Sequence, residues 1–153
     1  MPESDKHILL VQNIKEWIFS KYNSNNVLLM SDTSDSTIIN KPKRIENYCP
    51  DIYARINYRS NKNYVIGEAK ISQELEKYWN HAEDQIKAFL KFCKSNENSL
   101  FILAVPWKNL RNSNQLIKYF LNDIEIDAKD INYIIICDII NLEIKNYSAI
   151  WEE

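Results

Sequence analysis

Between residues 6 and 21 apolar positions recur at spacings of three and four, placing Leu10, Val11, Ile14, Trp17 and Ile18 on one side of a helix. Ser4 and Asp5 stand in front of it, with side chains able to accept from the free N–H groups of a first turn. Val27 to Met30 is a short apolar run that predicts a first strand. The Ser/Asp/Thr stretch 31–37 and the Lys41-Pro42-Lys43-Arg44 cluster then read as a long loop up to Pro50. From Asp51 to Tyr58 the alternation is strict. Ile52, Ala54, Ile56 and Tyr58 share one face and Asp51, Tyr53, Arg55 and Asn57 the other, which predicts a strand with one buried face.

Arg59 to Asn63 is turn chemistry, and Tyr64 to Ile71 resumes with high β propensity, so the two runs predict a hairpin. Gly67 lies inside the second strand, where a missing side chain marks a bulge or the close approach of another element. Residues 78–94 predict a helix with Trp79, Ala82, Ile86, Phe89, Leu90 and Cys93 as its apolar stripe. Leu100 to Val105 and Tyr133 to Asp138 are buried-type strands, with a short helix over Asn114 to Asn122 between them. Strands joined by helical crossovers predict an α/β fold, a mixed central β-sheet flanked by α-helices.

The chain has 153 residues, the length of one domain, and residues 1–153 are expected to form a single one. A composition of 45% hydrophobic and 12% aromatic residues is that of a globular protein and excludes a disordered chain. A single glycine removes the chemistries that need a glycine-rich loop against a phosphate, both the P-loop and the GxGxxG fingerprint. The formal net charge of −2 gives no global basic field, yet residues 41–94 carry 11 basic and 7 acidic side chains while 119–153 carry 2 and 8. Cys49, Cys93 and Cys137 form no CxxC pair and suggest a reduced protein. With no signal-peptide pattern and no apolar run near the roughly 20 residues needed to cross a bilayer, the expected location is the cytoplasm, without membrane attachment.

The hairpin concentrates charge at its open end. A tip near residues 59–61 sets Asp51 opposite Glu68 to Lys70, and Glu68 and Lys70, two apart, share a face. Two carboxylates gathered on a sheet face repel and lose hydration unless a ligand uses them. A divalent cation resolves this, and Mg²⁺, with Mn²⁺ able to substitute, is suited to a site of one or two carboxylates completed by water and substrate phosphate. Asp51, Glu68 and the carbonyl of Ala69 can supply the protein's share, while Lys70 can position or polarise an attacking water. This is the chemistry of metal-assisted phosphodiester hydrolysis. The bland alternative is a sheet-edge ion pair of Asp51 with Lys70.

Pro50-Asp51 followed by Glu68-Ala69-Lys70, with the apolar run Tyr64-Val65-Ile66-Gly67 leading in and a helix carrying Gln85 behind, resembles the PD-(D/E)XK, or restriction-endonuclease-like, nuclease superfamily. The resemblance covers about two-thirds of the chain, since that family's core of a helix, three strands, a helix and a further strand matches the element order read for residues 6–105. It implies a restriction-endonuclease-like core, metal binding by Asp51 and Glu68, action of Lys70 on the nucleophilic water, and a substrate or supporting contact from Gln85. Two further (D/E)xK triplets occur, Asp127-Ala128-Lys129 and Glu143-Ile144-Lys145, so the context of the triplet at 68–70 carries the inference. Relatives often place another carboxylate on the first helix. Glu16 is the candidate, but it points nearly opposite the Ile14 stripe and reads as solvated, as does His81 on its own helix.

Lys41, Lys43, Arg44, Arg55, Arg59 and Lys62 are the candidate phosphate contacts, Arg55 because it shares the Asp51 face and the others because they lie in flanking loops. Tyr53 shares that face as well, as a cleft wall or as packing. The expected function is a Mg²⁺-dependent DNA endonuclease of the restriction, junction-resolving, repair or mobile-element type, working as a homodimer or as a subunit of a larger nuclease complex. The rival is a catalytically inactive nuclease-fold module docking nucleic acid or a protein partner. A cysteine-nucleophile enzyme is disfavoured because Cys93 and Cys137 fall in buried-type patterns.

Overall fold

The computed structural model describes residues 4–32, 42–58, 61–96 and 98–147, apart from the side chains at 58, 61 and 62. Helix α1 (Asp5–Lys21) starts where Ser4 accepts from the His7 N–H, 3.1 Å away. Strand β1 (Val27–Ser31) follows, then the hairpin of β2 (Ile52–Tyr58) and β3 (Asn61–Ala69). A five-residue helix α2 (Ser72–Glu76) leads into α3 (Trp79–Ser95), β4 (Ser99–Val105), α4 (Leu110–Asp123), β5 (Asn132–Cys137) and β6 (Glu143–Asn146). Among the described residues these strands make one six-stranded sheet in sequence order, β1 to β6. The β3–β4 and β4–β5 pairs are parallel, bridged by α3 and α4, and the outer pairs are antiparallel. The protein is therefore α/β, a mixed sheet packed against helices, as the pattern predicts.

Each face of the sheet has its own core. α1 covers one, with Leu10, Val11, Ile14 and Ile18 against Ile52, Ala54, Val65, Ile102 and Ile134. α3 and α4 cover the other, with Ile86, Phe89, Phe120 and Ile117 against Ile66, Phe101, Leu103 and Ile135. Strand β2 is consequently buried on both faces, not one. Tyr53 is packing, its ring 5.9 Å from Tyr64 and 6.1 Å from Phe92. Gly67 marks a close approach: a Cβ there would lie 2.9 Å from Ile14 Cγ2 and 3.0 Å from Ile52 Cβ, so α1 sits where any side chain would stand.

Four expectations shift for local physical reasons. The hairpin turn is tighter than residues 59–63, because β3 already pairs at Asn61 opposite Tyr58. α4 begins at Leu110 rather than Asn114, since Leu110 and Ser113 continue its buried face through the polar sequence Arg111-Asn112. α2 was hidden by its shortness and is started by Glu74, whose carboxylate accepts from the Ile71 N–H at 3.1 Å. β6 is polar and lacks the apolar signature of a strand, but Asn146 Nδ2 ties it to the Ala128 and Ile131 carbonyls.

The loop before Pro50 contributes to the core as well. A bridge between Ile45 and Tyr48 turns the chain at Glu46 (φ 56°) and buries Ile45 on the α3 face. With one glycine in the chain, left-handed backbone also falls to Asn98, Glu125 and Asn141.

Candidate active site

The hairpin register sets Ile52 opposite Gly67, so Asp51 comes opposite Glu68 at the open end. This is also the end where the parallel strands β3 and β4 finish, a frequent place for ligand sites in α/β sheets. There the ladder is closed by side chains. Glu68 Oε1 accepts from the Asp51 N–H at 3.0 Å, and Asp51 Oδ2 accepts from the Ala69 N–H at 2.9 Å. Each carboxylate thus bonds the backbone beside the other, leaving one oxygen of each for other contacts.

His7 contacts the remaining Asp51 oxygen and Lys70 the remaining Glu68 oxygen. His7, on α1, brings Nε2 to 3.2 Å from Asp51 Oδ1. Lys70 Nζ lies 3.3 Å from Glu68 Oε2 and 3.6 Å from Glu74 Oε2, and donates to Gln85 Oε1 at 2.5 Å. The Lys70 N–H continues the ladder to the Ala104 carbonyl at 2.9 Å, which fixes the lysine's direction. The ion pairs of Lys70 run to Glu68 and Glu74, so the simple Asp51–Lys70 edge pair is not the arrangement present.

Asp51, Glu68 and Lys70 are 8%, 3% and 5% exposed, which makes this a buried charged cluster rather than a solvated edge. Burial, and then the neighbouring Asp51, hold the Glu68 carboxyl well above its ordinary range. Burial pulls the Lys70 ammonium down, but Glu68, Glu74 and Asp51 together outweigh it and raise its pKa. Lys70 therefore stays protonated and acts as a hydrogen-bond donor.

The other two (D/E)xK triplets behave differently. Lys129 pairs with Asp127 at 3.8 Å and Lys145 with Glu143 at 3.3 Å, and both lysine side chains are more than half exposed. No protein-family model matches the chain, and no curated protein or solved structure matches it significantly.

The remaining candidates divide. Lys43 and Arg44 are exposed on the loop that leads to Asp51, and Arg44 Nη1 donates to the Asn47 carbonyl at 2.9 Å. Arg55 is half-buried four residues along β2 from Asp51, about 13 Å at strand rise, and its Nε is buried without a hydrogen-bond partner. Lys62 lies in β3 rather than in a loop, paired with Asn57 near the closed end of the hairpin and away from the carboxylates. Lys41 and Arg59, with the Lys62 side chain, lie outside the described residues. Glu16 and His81 are exposed, as their helix positions predict.

Two contributors were not anticipated. His7 continues the α1 stripe one turn back from Leu10 and Val11, a spacing that signals an inward position. Glu74 reaches Lys70 as an i,i+4 partner across the start of α2. Cys93 and Cys137 are buried, and burial pushes both thiols up, so neither is an activated nucleophile. Among the described residues no helix is long and apolar enough to cross a membrane.

Proposed function

We propose that the protein is a metal-dependent DNA endonuclease of the PD-(D/E)XK type, and the observation that carries this is the buried pairing of Asp51 with Glu68 under Lys70 and Gln85. Two hard carboxylates pressed together, with the Glu68 carboxyl held up by burial and then by Asp51, form an oxygen donor set that suits a divalent cation. Among the described residues no three His, Cys, Asp or Glu side chains form a metal-binding group. The protein's share would be Asp51, Glu68 and the Ala69 carbonyl, with water and phosphate filling the rest, as Mg²⁺ prefers and Mn²⁺ accepts. When bound, such an ion makes a water more acidic and stabilises charge on a phosphodiester.

The chain's own groups do the positioning. His7 orients Asp51 through Oδ1, and the two backbone N–H groups fix the inner oxygens. Lys70, protonated and held by Gln85 and Glu68, presents N–H donors to an attacking water or a phosphate oxygen. Lys43 and Arg44, on the loop entering Asp51, are placed to contact the DNA backbone, with Arg55, Arg59, Lys62 and Lys41 further candidates. On this reading the protein works in the cytoplasm on DNA, as a homodimer or as a subunit of a larger nuclease complex.

A second reading also has an observation behind it. The carboxylates already satisfy backbone donors at the hairpin end, a purely structural use that suits an inactive nuclease-fold module docking nucleic acid or a protein. Incubating wild type and Lys70→Ala with supercoiled plasmid and a branched junction, in Mg²⁺, Mn²⁺ or EDTA, separates the two. Metal-dependent cutting lost in the variant supports the nuclease. No cutting, and no Asp51-dependent heat on titration with Mg²⁺, supports the module.

A further inference from the structure

The turn between β5 and β6 is apolar where a turn is ordinarily polar. It reads Asp138-Ile139-Ile140-Asn141-Leu142, and Ile139, Ile140 and Leu142 are 45%, 87% and 42% exposed. Its backbone is nevertheless held. The Leu142 N–H donates to the Ile139 carbonyl at 3.2 Å, Asn141 takes the left-handed conformation (φ 68°), and Asp138 Oδ1 accepts from the Trp107 N–H at 2.8 Å. That last bond brings the residue after β4 and Pro106 beside the turn, and Trp107 is itself 56% exposed. Trp107 stands three residues beyond Ala104, whose carbonyl accepts from the Lys70 N–H, so this apolar patch is at the sheet end that carries the charged cluster. An indole and three aliphatic side chains held in water on a braced backbone have the character of a docking surface.

Charge selects the partner. Between the turn and α1 lies a cavity of about 420 Å³, whose walls include Asn13, Glu16 and Trp17 of the helix and Asp138, Leu142 and Glu143 across from them. Three carboxylates line it, and no Lys, Arg or His does among the described residues. Lys145 pairs with Glu143 at 3.3 Å from outside the lining, Asp138 is engaged by a neutral N–H, and the Glu16 carboxylate has no partner among the described residues. A wall of this charge repels a phosphate backbone. A second copy docked about a two-fold axis would bring the same three carboxylates of both chains into one interface, like against like. A cationic segment carrying apolar residues matches both halves of the surface: its aliphatic side chains cover Trp107, Ile139 and Ile140, and its ammonium or guanidinium groups reach the acids. A free polyamine would meet the acids alone and leave the apolar patch in water.

We propose that the β5–β6 turn and Trp107 form a docking surface for a basic, amphipathic segment of a partner protein, with the acid-lined cavity seating one of its lysine or arginine side chains. The inference stands on this surface alone and does not rest on the nuclease reading. Of the two assemblies that reading allows, a homodimer and a subunit of a larger complex, it selects the second, and it puts the partner at the sheet end where Asp51, Glu68 and Lys70 meet.

The test uses the full chain and two labelled helical peptides with one leucine pattern, the first carrying lysine and the second glutamate at every polar position. Binding is read by fluorescence anisotropy at physiological salt, where exposed charges act only at short range. The expected result is at least tenfold tighter binding of the lysine peptide. Ile140→Ser and Glu16→Lys should each weaken it about tenfold, the size of loss at an interface anchor. Both side chains are exposed, so the variants keep the fold, which an unchanged melting temperature checks. Leu28→Ser, at a 49% exposed apolar position on the far edge strand β1, should bind as wild type does. A lysine peptide that binds no tighter than the glutamate peptide, or that binds all the variants equally, overturns the proposal, and so does binding of neither peptide. A dimer in sedimentation that Ile140→Ser dissociates overturns it as well, because it assigns the patch to a second copy. Cleavage in Mg²⁺, with Lys70→Ala as control, is scored separately. Its absence removes the nuclease reading and leaves this inference standing.

Discussion

His7 Nε2 lies 3.2 Å from Asp51 Oδ1, joining the helix on one face of the sheet to a carboxylate whose neighbour Lys70 meets Gln85 of α3 on the other. Replacing His7 by Ala leaves Asp51 with its backbone bond but without this orienting partner. We expect a 10- to 100-fold loss in cation affinity or cleavage rate, of the order seen for residues that orient metal ligands. Cleavage measured against Mg²⁺ concentration checks this, and an unchanged half-saturation and rate would remove His7 from the site.

The raised pKa of Glu68 makes stability depend on pH. The folded protein keeps a proton that the unfolded chain has released over the window from the ordinary value of 4.5 up to the raised folded value. Stability therefore falls as pH rises through that window. The raised Lys70 pKa contributes evenly below 10.5 and does not confuse the comparison. In EDTA the melting temperature should be higher at pH 5 than at pH 8, and Glu68→Gln should flatten the difference. Saturating Mg²⁺ should stabilise more at pH 8 than at pH 5, because a cation at Glu68 competes with the proton that burial favours there.

Lys70→Met removes the cation from a pair whose side chains are 7% and 4% exposed. Breaking a buried pair from one side leaves the other partner without its counterpart, and we expect a loss of about 3 kcal/mol. Urea unfolding gives the value, and Mg²⁺ should recover part of it.

Gly67→Ala places a methyl 2.9 Å from Ile14 Cγ2 and 3.0 Å from Ile52 Cβ. The expected cost is about 1–3 kcal/mol, typical of overpacking a filled core. Because Ile14 and His7 share α1, cleavage should fall too. Adding Ile14→Ala should be less harmful in Gly67→Ala than in wild type, a coupling that a double-mutant cycle measures.

Helix α4 ends on Glu125 at φ 59°, with the Ile126 N–H bonded to the Leu121 carbonyl and the Glu125 N–H to that of Asn122. That position normally belongs to glycine. Glu125→Gly should stabilise the protein by about 0.5–1 kcal/mol, since relief of left-handed strain exceeds the added chain entropy. A rise in melting temperature of about 1–4 °C is the corresponding signal.

The strict alternation from Asp51 and the turn residues after Tyr58 were enough to place Asp51 opposite Glu68 to Lys70, because a side-chain period of two leaves a hairpin few registers, and the pairing of Ile52 with Gly67 narrows this to Glu68. Gln85 was legible only through the resemblance, as the glutamine on the helix behind Glu68-Ala69-Lys70, and it reaches Lys70. His7 was harder to read, since its role depends on α1 crossing the sheet to the hairpin's open end, a tertiary fact that periodicity does not carry. The same holds for Ile45, buried from a loop whose composition is polar, and for α2, too short for a helical period to show. Periodicity puts Trp79 on the apolar stripe of α3, but at the helix start it is 37% exposed and lines a cavity with Leu75, Leu116 and Tyr119.

Because the sheet runs in sequence order, each strand pairs with the one synthesised just before it. His7, Asp51, Glu68, Lys70, Glu74, Gln85 and the Ala104 carbonyl have all been made once β4 is complete. The elements that follow, α4, β5 and β6, cover core that β4 would leave open and hold α2 through Asn109. A ribosome-bound chain could thus gather the charged cluster before its hydrophobic covering arrives, and a cation captured at that stage would steady the nascent hairpin while the rest of the sheet is added.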